Sequence, residues 1–271
     1  MNRFSKNRLF ILVVFLFISF SAFGNEDWQH DAKDLVDSIN SLNKHGSQSS
    51  CPTPDTDPKP TEREKWLRAG FGNPSIDQLD ATLPSSDPKK FTHEIKLTMV
   101  LLRNSGWDKE QIKQRLTRVA DIYSQCGIKV ASAKLVTVDA PNGWVDVDYR
   151  VEKRDLKIAT MTPTTDKPIL FYVRSSREGQ IAYAWNQSKD QPPPLTNTAW
   201  LTSEINTAKY KKWRDPAYNT EAHELGHIFG DCGHNTDGSK NFLAGDVALL
   251  NDKIQPKQCE SMKKHNLVRP L

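Results

Sequence analysis

The sequence has no excess of charge of one sign and, after its first residues, no apolar run long enough to cross a membrane. The full chain has 37 Lys and Arg against 33 Asp and Glu. Residues 1–24 hold three of the basic residues, which leaves 34 basic and 33 acidic residues and a net charge of +1. This balance is unlike that of a nucleic-acid-binding protein. We therefore expect no nucleic-acid partner, and no stable membrane association once residues 1–24 are removed.

The first 24 residues have the features of a targeting segment. Arg3, Lys6 and Arg8 precede an unbroken apolar run at residues 9–18, which is too short to span a bilayer comfortably. Small residues before Asn25 predict cleavage there, and an uncleaved membrane anchor is the alternative. No cysteine closely follows the apolar run, which argues against a lipid-anchored protein. The sequence thus predicts a signal peptide and a secreted or periplasmic protein.

Cysteine is scarce, with four residues in the chain. An even number in an oxidising compartment predicts two disulfide bonds, for which three pairings are possible. We favour a Cys232–Cys259 bond, because it would clamp the loop that follows the histidine motif described below. Cys51–Cys126 is then the second pair.

The chain divides by composition into three parts. After the signal peptide, residues 25–90 form a predicted extension with a helix at its start and a proline-rich stretch, and residues 91–271 form the predicted compact domain. Residues 70–90 are rich in turn-forming residues. Alternating and continuous apolar patterns predict strands at residues 94–102, 128–138, 144–151, 169–173, 181–185 and 198–202. Helical patterns predict helices from Asp108 to Gly127 and at residues 219–229 and 255–265.

Residues 223–234 read H-E-L-G-H-I-F-G-D-C-G-H and carry the clearest chemical signal. On a helix, His223 and His227 lie one turn apart on the same face, where two imidazoles can share one zinc ion. Glu224 stands beside the first histidine and can accept a proton from a water molecule that the zinc polarises. Gly230 is a typical helix end, after which the chain can turn back and present His234 as a third ligand.

This motif resembles that of the metzincins, a clan of zinc endopeptidases with the pattern H-E-x-x-H-x-x-G-x-x-H. The order of predicted elements over residues 91–271 also resembles a matrixin-like catalytic domain. The resemblance implies an α+β fold with a mixed, mostly parallel twisted sheet, a helix carrying the motif and a C-terminal helical subdomain. It also implies one catalytic Zn²⁺ and a peptide or protein substrate that pairs with an edge strand, here residues 181–185.

Two features depart from the family pattern. The third histidine, His234, stands one residue later than the family position, so Asp231, Asp237 and Glu260 remain alternative third ligands. The family's turn beneath the metal contains a methionine, whereas the similar residues 241–245 have Leu243 at that place. Leucine and methionine have similar volumes, so an apolar floor can persist; a plain surface turn is the alternative.

The resemblance predicts an exported zinc endopeptidase, with His223, His227 and His234 as ligands and Glu224 as general base. One alternative is a zinc-containing binding or toxin-like protein on the same fold without catalytic turnover, because a fold alone does not establish activity. Another is a zinc hydrolase that acts on a bond other than a peptide bond. A latency role for the Cys51 thiol, as in matrixin pro-enzymes, is a further alternative to a disulfide. The oligomeric state is left open.

Overall fold

A computed structural model of the protein describes residues 59–81, 91–147, 153–164, 166–176, 181–187, 191–206, 220–230, 234, 241–243 and 252–271. The chain divides into two units, Met1–Pro58 and Lys59–Leu271, and the described residues belong to the second. The predicted signal peptide and the predicted helix that follows it lie outside the described residues.

The centre of this unit is a twisted, mixed sheet with mostly parallel strands. In chain order the strands are β1 (Gly72–Leu79), β2 (His93–Leu102), β3 (Ile128–Asp139), β4 (Asp146–Val147), β5 (Ile169–Val173), β6 (Ser175–Ser176), β7 (Ala182–Trp185), β8 (Thr198–Thr202) and β9 (Arg269–Pro270). The main sheet has the order β1-β3-β2-β5-β8-β7, and β9 pairs with β2. Strands β3, β2, β5 and β8 are parallel, whereas β1 and β7 are antiparallel edge strands. The predicted α+β class is confirmed.

Within the described part of the chain, five α-helices accompany the sheet: α1 (Glu62–Arg68), α2 (Lys109–Ser124), α3 (Arg154–Met161), α4 (Thr220–Gly230) and α5 (Pro256–Lys263). Helix α2 starts at a capping box in which the Asp108 carboxylate accepts from the Gln111 N–H and the Gln111 side chain accepts from the Asp108 N–H. Its predicted apolar stripe is buried, and Gly127 follows it at a φ of 68°. Among the described residues no helix is long and apolar enough to cross a membrane.

The sheet buries side chains on both faces, because successive residues of a strand point to opposite sides. On β2, Leu97 and Met99 belong to the core that includes α2, α4 and α5. Val100 and Leu102 of the same strand belong to the core that includes residues of α1 and α3. Helix α4, which carries the histidine motif, therefore packs on one face of the sheet, and the opposite face has a separate core.

The folded unit starts earlier than the sequence indicates. Residues 70–90 suggested turns, but residues 72–79 form β1, which pairs with β3. An edge strand tolerates Pro74 and the turn-forming residues around it, because its outer N–H groups need no partner strand. Trp66 and Phe71 are buried in the second core, so the compact unit includes residues upstream of the expected start near Phe91.

Two further elements differ from the sequence interpretation. The sequence predicts a strand over residues 144–151, but the described part forms only the short β4, which pairs in parallel with β6. Helix α3 was not predicted. At the C-terminal end, the expected helical subdomain consists of one described helix, α5.

The disulfide bond that the structure shows joins Cys126 to Cys259, and their Cα atoms are 5.1 Å apart. Both predicted pairings, Cys232–Cys259 and Cys51–Cys126, are therefore wrong. The prediction relied on closeness to the motif along the chain, whereas the fold brings the end of α2 against α5. Gln125 supports the same packing, because its side chain donates to the Asp252 carbonyl just before α5. Cys51 and Cys232 lie outside the described residues.

Candidate metal centre

Helix α4 presents the first two histidines of the motif on one face, as the spacing predicts. The helix covers residues Thr220–Gly230 and is buried along almost its whole length. His223 is 4% exposed and the Nε2 atoms of His223 and His227 are 3.0 Å apart. Gly230 is the last residue of the helix, where the sequence indicated its end.

His234 completes the cluster. Its Nε2 lies 3.2 Å from the Nε2 of His223, although it stands one residue later than the family spacing. The ligand atoms of the three histidines all lie within 4.8 Å of one another, so the group could hold a metal ion. Glu260 is not part of this cluster: its mostly exposed side chain lies 3.7 Å from the Lys263 ammonium. The other alternative ligands, Asp231 and Asp237, lie outside the described residues.

The donor set fits zinc. Two nitrogens that bind one zinc ion tetrahedrally, each at about 2.0–2.1 Å, lie about 3.3 Å apart, close to both measured Nε2 separations. The ligand form of histidine is the neutral imidazole. Burial, together with the neighbouring imidazoles of His227 and His234, lowers the pKa of His223 to about 3, although the hydrogen bond to the Phe242 carbonyl opposes this shift. His223 is therefore neutral at physiological pH.

A backbone carbonyl fixes which nitrogen of His223 carries the proton. The Nδ1 of His223 lies 2.6 Å from the carbonyl oxygen of Phe242. Because a carbonyl oxygen only accepts hydrogen bonds, Nδ1 must be the protonated donor, which leaves the Nε2 lone pair directed to the cluster. Phe242 thus sets both the tautomer and the orientation of the ring.

We call residues 241–243 the floor turn, because they lie beneath α4. Asn241, Phe242 and Leu243 are all buried, which excludes the alternative of a plain surface turn. A Cβ atom at Gly226 would lie 2.6 Å from the Phe242 ring and 2.8 Å from the Leu243 side chain. Gly226 therefore allows the floor turn, with the buried apolar side chain of Leu243, to pack against α4.

Glu224 is buried beside the first histidine, with 6% of its surface exposed. Burial, and to a lesser degree the Glu221 carboxylate, raises the pKa of Glu224 to about 8. A carboxylate in such surroundings is a stronger base than one in water, and a bound cation nearby would favour its ionised form.

A buried ion pair connects α4 to α2, and the sequence did not reveal it. Arg115 donates to Glu221 over 3.1 Å, and the two side chains are 5% and 2% exposed. The Arg115 guanidinium also lies over the Trp107 ring, 5.0 Å from its centroid. Because the partners are 106 positions apart, no local spacing pointed to the pair.

The expected edge strand is present. Strand β7 pairs with β8 and is the last strand on its side of the sheet. Among the described residues no strand pairs with its other side.

No protein-family model matches the chain, and no curated protein matches it. Among solved structures, metalloproteinase-II from Bacteroides fragilis is similar with a TM-score of 0.46 and 12% identity, covering 69% of this chain and 56% of that chain. This chain thus spans about half the length of that protein. A chaperone–substrate complex is similar with a TM-score of 0.33 and 14% identity, covering 62% of this chain and 30% of that chain. The function proposed below therefore rests on the residues of the site.

Proposed function

We propose that the chain is an exported, zinc-dependent endopeptidase of the metzincin type. The observation that carries this proposal is the convergence of three imidazole nitrogens, from His223, His227 and His234. Glu224, whose carboxyl is buried, directly follows the first of them in the chain. This donor set leaves one position of a four-coordinate zinc ion open, which is typical of catalytic rather than structural zinc sites.

Glu224 is the proposed general base. When bound, zinc supplies Lewis acidity that polarises the scissile carbonyl and lowers the pKa of a water molecule. The Glu224 carboxylate accepts a proton from that water and delivers it to the departing amine. Its burial at the face of α4 keeps bulk water from competing for this proton.

The proposed substrate is an extended peptide or an unfolded protein segment. Strand β7 supports this choice, because its outer backbone edge can form main-chain hydrogen bonds with an added strand. Residues 1–24 and the oxidised Cys126–Cys259 pair support export to the periplasm or the medium. We propose no nucleic-acid partner and no membrane association for the processed protein.

The decisive experiment substitutes Glu224→Gln and measures cleavage of an unfolded, alkylated protein and of a proteome-derived peptide library. The amide has nearly the size of the carboxylate but cannot act as a base. We expect a loss of rate of at least about 10²–10⁴-fold with zinc content and fold retained. Glu260→Gln, the same substitution at an exposed position of α5, is the matched control and should keep full activity. Full activity in Glu224→Gln would exclude the proposed base, and a wild-type protein that binds zinc but cleaves nothing would favour the binding-protein alternative.

Metal analysis tests the ligand set separately. Purified protein should contain about one zinc ion per chain, and His234→Ala should lower the zinc content at limiting metal. His93→Ala is the matched control, since His93 lies at the start of β2 and is not part of the histidine cluster. Equal zinc affinity in the two variants would remove His234 from the ligand set and leave Asp231 and Asp237 to be examined.

A further inference from the structure

The orientation of His223 depends on the floor turn, so other residues must hold that turn in position. The Phe242 carbonyl that accepts from His223 belongs to the floor turn. Within that turn the Asn241 side-chain oxygen accepts a hydrogen bond from the Leu243 N–H at 2.8 Å. This bond connects the two residues on either side of Phe242. The Phe242 N–H donates to the Lys253 carbonyl at 3.1 Å. The backbone around the accepting carbonyl is thus held from both sides.

Asn241 connects this turn to α5 through a reciprocal pair of amide hydrogen bonds. Its Nδ2 donates to the Gln258 Oε1 at 2.8 Å, and the Gln258 Nε2 donates back to the Asn241 Oδ1 at 3.1 Å. Asn241 is 1% exposed, so water does not compete strongly for these bonds. Gln258 is also part of the helix start, because its Oε1 accepts from the Gln255 N–H at 3.0 Å.

Helix α5 is itself anchored to the two helices that surround the site. The residue next to Gln258 is Cys259, whose disulfide bond joins α5 to the end of α2. Ser261 donates to the Gly230 carbonyl at the end of α4, over 3.3 Å. The amide pair therefore connects the floor turn to a helix that is fixed against both α2 and α4.

We propose that Asn241 and Gln258 are positioning residues of the metal site: the amide pair fixes the Phe242 carbonyl and thereby the ring of His223. This proposal rests on the zinc site proposed above and assigns it a further pair of residues. Partners that orient a metal-binding imidazole commonly contribute 10–100-fold to metal affinity. Because this pair acts through one intervening residue, we expect an effect of about 10-fold, at the low end of that range.

The test compares three variants by zinc affinity and by the visible absorption spectrum of the Co²⁺-substituted protein, which reports ligand geometry. Gln258→Ala removes both amide bonds and should weaken zinc binding about 10-fold and shift the Co²⁺ bands. Gln258→Glu keeps an acceptor for Asn241 and for the helix start but loses the bond donated to Asn241. Glutamate is favoured at this third helical position, so the start of α5 should persist, and urea unfolding measures the net stability of the variant.

In a folded Gln258→Glu protein we expect a lower zinc affinity and a shifted Co²⁺ spectrum. A purely structural role of Gln258 would produce neither effect. Lys257→Ala changes the net charge by the same amount at the exposed neighbouring position and should change neither measurement. The proposal is overturned if Gln258→Glu keeps the wild-type zinc affinity and an unchanged Co²⁺ spectrum. It is also overturned if the loss of zinc affinity in Gln258→Ala matches the loss of folded protein that urea unfolding measures for this variant. If His223→Ala and His227→Ala leave the wild-type zinc affinity unchanged, it is the proposed zinc site itself that fails, and the positioning role falls with it.

Discussion

Gly226 lies between the two histidines of α4, and the motif does not explain why this residue is glycine. The pattern H-E-x-x-H leaves this residue free, and the spacing of the ligands would tolerate any side chain there. The structure requires glycine, because a Cβ atom would overlap Phe242 and Leu243 of the floor turn. Because Gly226 has a hydrogen atom where alanine has a methyl group, the floor turn that orients His223 can approach the helix.

Gly226→Ala is expected to displace the floor turn and weaken zinc binding. The added methyl would lie 2.6 Å from the Phe242 ring, so the ring and its backbone must move. Overpacking of this kind costs about 1–3 kcal/mol in the free energy of unfolding, partly offset by the higher helix propensity of alanine. Zinc titration and urea unfolding measure the two effects. The double variant Gly226→Ala/Phe242→Leu, in which the ring is removed, should recover part of the zinc affinity; an unchanged affinity in Gly226→Ala alone would contradict the role of the turn.

At the level of elements, helices α2, α4 and α5 form one connected group on the face of the sheet that carries the site. The Arg115–Glu221 pair connects α2 with α4, and the Cys126–Cys259 bond connects α2 with α5. Tyr123 of α2 adds a hydrogen bond of 3.1 Å to the Ala222 carbonyl, directly before His223. Helix α2 thus supports both α4, which carries His223 and His227, and α5, which contacts the floor turn.

Removing the Cys126–Cys259 bond should lower stability without removing a metal ligand. The bond closes a loop with a sequence separation of 133, for which the chain-entropy model gives about 5 kcal/mol, while native bonds typically contribute about 2–5 kcal/mol. We expect the double variant Cys126→Ala/Cys259→Ala to lose a free energy of unfolding within that range in urea. Non-reducing peptide mapping should find this pair in the native protein. A reductant should still destabilise the control variant Cys51→Ala/Cys232→Ala, and a control insensitive to reductant would refute the observed pairing.

The elements that local patterns determine could be predicted, and the long-range contacts could not. The alternation on β2 and the continuous apolar runs of β5 and β8 depend on neighbours in the sequence, and the structure has these strands where they were expected. The two histidines of α4 follow from helix geometry in the same way. The pairing of Cys126 with Cys259, the partner of Glu221 and the contact between Asn241 and Gln258 depend on how separate elements pack. A single sequence carries no local signal for such contacts.

At the scale of the whole molecule, the last part of the predicted extension, residues 59–81, contributes to the fold. Strand β1 covers the edge of β3, with paired residues from Ser75 to Leu79. Trp66 is 0% exposed and Phe71 is 1% exposed, and their rings meet edge to face at 4.9 Å in the second core. Removal of the chain through Phe71 would therefore open this core, and removal through β1 would also expose the edge of β3.

Truncation tests this boundary directly. A fragment of residues 59–271 should unfold cooperatively in urea and bind zinc, because it contains every element of the sheet and both cores. A fragment of residues 91–271 loses β1, Trp66 and Phe71, which leaves an unpaired strand edge and a cavity on the second face, and we expect it to aggregate or unfold without cooperativity. Trp66→Ala in the longer fragment isolates the contribution of the ring and should cost about 3–5 kcal/mol. If the shorter fragment were as stable as the longer one, residues 59–90 would be a dispensable extension after all.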